Sequence, residues 1–197
     1  KTGTSQVRNI TAAERARGVS PCKQGLTCGR HVLETAPVFT LANSNIQTLA
    51  PAADLDFFDS QTVHLTKAIR PLEAWGMIMS RPSPALKLAF RVRDAISTKF
   101  GVKKIGGFSD AAPDRVEVGQ NIDFFVVEHT SEDVLTLSAR DKHLDVLTCV
   151  SRVGKGLTIT SSVKTHNAFG RAYMLPVGPA HKLIVRSFLR RLRNQRR

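Results

Sequence analysis

Seven side chains between residues 143 and 181 combine types and spacings that can do chemistry: His143, Asp145, His166, Asn167, Arg171, Tyr173 and His181. The densest stretch runs Val163-Lys164-Thr165-His166-Asn167-Ala168-Phe169-Gly170-Arg171-Ala172-Tyr173. A guanidinium such as that of Arg171 grips a carboxylate or phosphate with two parallel N–H donors. His166 and Tyr173 are suited to orienting a carbonyl or relaying a proton, because imidazole titrates near neutral pH. The same residues also have a purely architectural reading. Asn167 and Gly170 then shape a turn, and Arg171 pairs with Asp141 or Asp145 to lock sheet to helix. In His143-Leu144-Asp145, alternate residues of a strand share a face. That pair suits either activation of water or a nucleophile or cross-strand pairing, and no Ser or Cys in a nucleophile-elbow context accompanies it. His181 follows Pro179 and is read as a capping or surface residue of the last helix, with a ligand contact as the alternative.

Several chemistries are disfavoured by spacing. The six histidines never stand three or four residues apart, and Cys22 and Cys28 have five residues between them, which matches no common zinc pattern. Gly101 to Gly107 carries no phosphate-loop pattern, and no dinucleotide fingerprint is present. The expectation is therefore no metal and no cofactor.

The elements that must position these residues follow from periodicity. Ser60 reads as the N-cap of a helix carrying Val63, Ala68 and Ile69, broken or kinked at Pro71. Ser83-Pro84 opens a second helix with Leu88, Ala89, Val92, Ala95, Ile96 and Phe100 at helical spacing, ended by Gly101. Weak strand character runs from Val32 to Leu41. After Gly106-Gly107 short branched and aromatic runs take over: Val116/Val118, Ile122 to Val127, Val134 to Leu137, Leu144 to Val150 and Leu157 to Val163. Polar breaks about ten residues apart separate them, which favours consecutive antiparallel hairpins. From Gly178-Pro179 onward, Ile184, Val185, Phe188, Leu189 and Leu192 share one helical face and Arg186, Arg190, Arg193 and Arg197 the other. The predicted fold class is α+β: a helix-grip-like curved antiparallel sheet of five to seven strands packed on a long C-terminal helix, with two helices before the sheet. Such an arrangement leaves room for a cavity between sheet and helix.

At 197 residues and 42% hydrophobic composition the chain suits one domain, assigned to residues 31–197, preceded by a flexible basic extension over residues 1–30. The net charge of +13 is concentrated at the ends. Residues 1–30 hold six Lys/Arg and one Glu, and residues 180–197 hold seven Lys/Arg and no acid. Nucleic acid is the disfavoured partner, because the body between these ends is nearly neutral. No apolar run is long enough for a transmembrane helix. Three cysteines with no framework, together with an N-terminus lacking an apolar core, predict reduced thiols in a cytoplasmic protein, with Cys149 as a small core residue.

Four pieces in series carry a resemblance. They are Arg91-Val92-Arg93-Asp94-Ala95-Ile96 with Phe100-Gly101; Asp141-Lys142-His143-Leu144-Asp145; Thr165-His166-Asn167 with Gly170-Arg171-Ala172-Tyr173; and Pro179-Ala180-His181-Lys182-Leu183-Ile184-Val185. In this order they resemble the bacterial domain-of-unknown-function 2867 family over about residues 54–193. That family is found alone and also fused behind short-chain dehydrogenase or epimerase-like domains. The resemblance implies, by analogy, the helix-grip superfamily of START and polyketide-cyclase-like domains, which bind small apolar or amphiphilic molecules. One departure is that the strand begun by His143-Leu144-Asp145 continues with Val146 and Leu147 instead of an aromatic and an arginine. The expected function is binding of a small or lipid-like ligand, as an accessory to an oxidoreductase. The alternatives are a cyclase or isomerase using His166 or Tyr173 with Arg171, and a polyanion binder acting through the basic termini on nucleic acid or an anionic membrane.

Overall fold

In the computed structural model, residues 38–80 and 114–195 are described. Strands β1 (Phe39–Thr40) and β2 (Gln47–Thr48) make a small hairpin, and a 3-10 turn (Ala52–Asp54) follows. Next come β3 (Phe57–His64), α1 (Pro71–Met79), β4 (Asn121–Ile122), β5 (Phe125–Thr130), β6 (Val134–Arg140), β7 (Leu144–Val153), β8 (Gly156–Thr165) and α2 (Ala168–Gln195). The last six strands form one antiparallel sheet in the order β3-β8-β7-β6-β5-β4. The fold is α+β, a curved antiparallel sheet backed by a long C-terminal helix. The extension expected over 1–30 and the helix expected from Ser83 to Gly101 lie outside the described residues.

The hairpin run from β5 to β8 follows the expected breaks, with Gly154 at a positive φ of 58° in the β7–β8 turn. One expected strand divides: Asp123, at φ 55°, turns the chain between β4 and β5. Residues Val116 and Val118 form no strand.

Two expectations are corrected. Residues 57–64 are strand, not the start of a helix capped by Ser60. Phe57, Asp59, Gln61 and Val63 point one way, and pairing of the whole segment with β8 outweighs the local capping preference of Ser60. Pro71 therefore does not break a helix; it begins α1 at the first helical position, where no N–H is needed. The last helix also starts ten residues earlier than expected, at Ala168, and runs through Pro176 and Pro179. Both prolines are exposed. The carbonyls they deprive of an i+4 N–H partner belong to Ala172 and Leu175, which are also exposed, so solvent can reach them.

The sheet buries both faces by different chemistry. One face presents Val63, Val127, Leu135, Leu137, Val150, Leu157 and Ile159 to α1 and to the second half of α2, where Val185, Phe188, Leu189 and Leu192 form the buried stripe. Trp75 of α1 meets Phe125 edge-on at 5.4 Å. The opposite face is lined with hydroxyls, and Thr136, Ser138, Ser151, Thr160 and Ser162 are all buried there. Buried hydroxyls need partners, and the segment around β2 supplies several. Thr136 Oγ1 donates to Gln47 Oε1 (2.6 Å), Leu49 N–H donates to Ser162 Oγ (3.1 Å) and Gln47 N–H donates to Cys149 Sγ (3.3 Å). Cys149 is the core residue expected, and burial pushes its thiol pKa up.

Candidate functional site

The candidate residues meet where the β6–β7 turn touches the start of α2. Asp141 builds that turn: its Oδ1 accepts the N–H groups of His143 (2.7 Å) and Leu144 (3.0 Å). His143 thus sits in the turn, one residue ahead of β7, while Asp145 lies within the strand. The His143 carbonyl accepts the His166 N–H at 2.8 Å, which ties the end of β8 to the turn.

Asn167 is the N-cap of α2. Its Oδ1 accepts the Gly170 N–H (3.0 Å), one of the helix-end donors that no intrahelical carbonyl reaches. Its Nδ2 donates to Lys142 O (3.0 Å) and lies 3.1 Å from His143 Nδ1. Asn167 does shape the chain here, but as a helix cap, and Gly170 lies inside the first helical turn. That turn packs so closely on the β6–β7 turn that a Cβ at Gly170 would collide with the His143 carbonyl oxygen.

Asp145 pairs with His166, Oδ1 to Nε2, at 3.2 Å. Asp141 is committed to backbone amides and Asp145 to an imidazole, so the alternative pairing of Arg171 with either carboxylate is not formed. The guanidinium of Arg171 is exposed and makes no salt bridge among the described residues. It lies close enough to Asp56 to help hold that carboxyl below its usual pKa, although the main cause is the Thr165 N–H donated to Asp56 Oδ2 at 2.7 Å. Phe169 lies 4.5 Å from the His143 ring and stacks with Tyr173 at 6.4 Å, centroid to centroid. One buried polar atom at this corner, His143 Nε2, has no hydrogen-bond partner among the described residues.

Six of the seven candidates are thus gathered at or beside the first turns of α2. His181 is not. It sits midway along α2, edge-on to Phe57 at 5.8 Å, neither capping a helix nor sharing the corner with His166. Burial lowers its pKa below the ordinary 6.5, and Asp59 only partly offsets this. Its Nε2 is buried, even though the residue as a whole is partly accessible. A histidine kept neutral in the folded state binds fewer protons there than in the unfolded chain, so stability falls as pH drops through about 6.5. The melting temperature of the wild type is expected to fall more steeply between about pH 7 and pH 5 than that of His181→Gln. Equal slopes in a pH-resolved thermal melt would refute this.

Sequence reasoning missed a second polar group on the neighbouring strands. Glu128, with a side chain only 5% exposed, accepts from Ser138 Oγ (2.5 Å) and Arg140 Nη2 (3.0 Å). It occupies an irregularity in the β5–β6 register, between Val127 and His129. Arg140 pairs across the sheet with Asp145, and Asp145 with Lys164, so cation and carboxylate alternate along one end of the sheet. Nothing in the local sequence marks this row, because each member comes from a different strand.

These features define an α+β domain in which one antiparallel sheet is backed by a C-terminal helix, with a capped and charged corner where that helix begins. The chain belongs to the family described as protein of unknown function (DUF2867), whose model matches residues 51–188. No curated protein and no solved structure matches it.

Proposed function

We propose that this domain is of helix-grip type and binds a small amphiphile whose carboxylate or phosphate is held at the start of α2. The observation that carries the reading is unspent bonding capacity at one rigid corner. Arg171, exposed and without a salt bridge among the described residues, lies on the first turn of the helix whose cap, Asn167, contacts His143, and the buried His143 Nε2 has no hydrogen-bond partner there. The Asn167 cap and the Gly170 contact fix this geometry before any ligand arrives. Arg171 is the anion anchor, and the Phe169–Tyr173 stack is the apolar wall beside it. The family's occurrence fused behind short-chain oxidoreductase domains favours an accessory role beside such an enzyme.

Native mass spectrometry of the protein isolated under gentle conditions tests this. The wild type is expected to carry a small acidic adduct that Arg171→Ala has lost. Stability should change by no more than about 0.5 kcal/mol, because the side chain is exposed. A bare wild type, or an adduct kept by Arg171→Ala, would remove the reading.

One observation favours a catalytic variant of it. Asp145 orients His166 through Nε2 at 3.2 Å, an arrangement suited to acid–base work in a cyclase or isomerase. Loss of turnover of the captured ligand in His166→Ala, with the adduct still bound, would separate catalysis from binding.

A further inference from the structure

No Asp or Glu follows Asp145 in this sequence, so α2 is free of acids over its whole length of about 42 Å. Its outward face is divided along the helix axis. Ala172, Leu175, Pro176, Pro179 and Leu183 make the first part apolar, and all are exposed. Leu175 and Leu183 are 76% and 67% exposed. They stand eight residues apart with Pro179 between them, so the three share one face at four-residue steps. Arg171 and Lys182 flank this stripe, and Arg186, Arg190 and Arg193 continue it toward the C-terminus, all exposed.

We infer that this face of α2 docks on the surface of an anionic phospholipid bilayer. Leu175, Pro179 and Leu183 enter the headgroup–acyl boundary, and Lys182, Arg186, Arg190 and Arg193 lie against lipid phosphates. The charge decides the occupant: an acid-free cationic face matches an anionic partner. The leucines decide between anions. A nucleic-acid backbone offers exposed leucine and proline nothing, and the stretch from Leu175 to Arg193 presents no exposed aromatic side chain on which a base would stack; Phe169 and Tyr173, ahead of it, stack on each other. Binding is shallow. The carbonyls of Ala172 and Leu175, deprived of their i+4 N–H partners by Pro176 and Pro179, need water or headgroup donors and exclude deeper burial. No described helix is long and apolar enough to span a membrane. The inference does not rest on the ligand corner, since Leu175, Leu183, Arg186 and Arg190, the residues substituted below, all follow Tyr173 along α2.

The test is co-sedimentation of the full chain with phosphatidylcholine vesicles, with and without added phosphatidylserine. The wild type is expected to partition onto the phosphatidylserine vesicles alone. Leu175→Gln with Leu183→Gln should weaken that partition roughly tenfold or more. Arg186→Gln with Arg190→Gln should weaken it about twenty-five-fold, at close to fivefold per charge. Circular dichroism should show both pairs folded, because every substituted side chain is exposed. Undiminished binding by the leucine pair would overturn the inference, as it would assign vesicle binding to charge elsewhere in the chain. So would equal binding to neutral vesicles. Salt-sensitive retention of duplex DNA or RNA, unchanged in the leucine pair and without vesicle binding, would reassign the face to nucleic acid.

Discussion

Gly170→Ala is expected to destabilise the protein by about 3 kcal/mol, the reverse of what the same change does in an ordinary helix. Replacing glycine by alanine in a helix interior normally gains about 1 kcal/mol. Here the added Cβ would meet the His143 carbonyl oxygen head-on, with His143 C at 3.2 Å and Thr165 Cβ at 3.3 Å. The obstacle is backbone, so no rotamer change relieves it, and either the β6–β7 turn or the helix start must move. Movement loosens the His166 N–H bond to His143 O and the Asn167 cap together. Overpacking of this kind costs roughly 1–3 kcal/mol, and loss of a cap adds about 1 kcal/mol, which together exceed the propensity gain. Gly178→Ala is the internal control. Its Cβ would lie 3.1 Å from the edge of the Phe57 ring, a side chain able to tilt, and the cost should stay under about 1 kcal/mol. Urea denaturation of the two variants decides the matter. A Gly170→Ala protein as stable as the wild type would mean that α2 does not dock on the turn, and the proposed anion corner would lose its rigidity with it.

Glu128→Ala should cost about as much by a different route. It strips the charge partner from Arg140, whose side chain is only 25% exposed, and leaves the buried Ser138 hydroxyl without its acceptor. Removing one member of a buried ion pair costs roughly 3–5 kcal/mol. Partial access of Arg140 to water places the expected loss near 3 kcal/mol, at the low end. Replacing both partners, Glu128→Leu with Arg140→Met, should recover most of it, since no unpaired charge then remains. A single variant within about 0.5 kcal/mol of wild type, or a double variant no better than the single, would show that the pair is a solvated surface contact.

These variants also mark where the sequence was legible. The hairpins from β5 to β8 could be read because each strand alternates or saturates with branched residues and each turn carries its own Gly, Asp or Asn. The buried stripe Val185-Phe188-Leu189-Leu192 was equally plain at helical spacing. β3 was obscured because its inward positions include Asp59 and Gln61. These polar residues earn their place only against α2, where Gln61 Nε2 donates to Lys182 O at 3.0 Å. The first half of α2 was hidden by Gly170, Pro176 and Pro179, each a breaker on local grounds. Gly170 is there because the β6–β7 turn presses on the helix, and the prolines are tolerated because their side of the helix faces water.

The residues at the corner could be picked out from type and spacing, but their partners could not. A strand's own sequence states what faces it prefers; its register against a neighbour depends on turns and irregularities elsewhere. The slip beside Glu128 and the docking of α2 therefore decide which carboxylate meets which cation. Sequence alone determined the α+β class, the consecutive antiparallel strands and the acid-free, arginine-rich end, because periodicity and charge are properties of a single segment. The tertiary structure decided that His166, not Arg171, takes Asp145, that Asn167 caps a helix, and that His181 stands apart, because each of these is a contact between segments far apart in the chain.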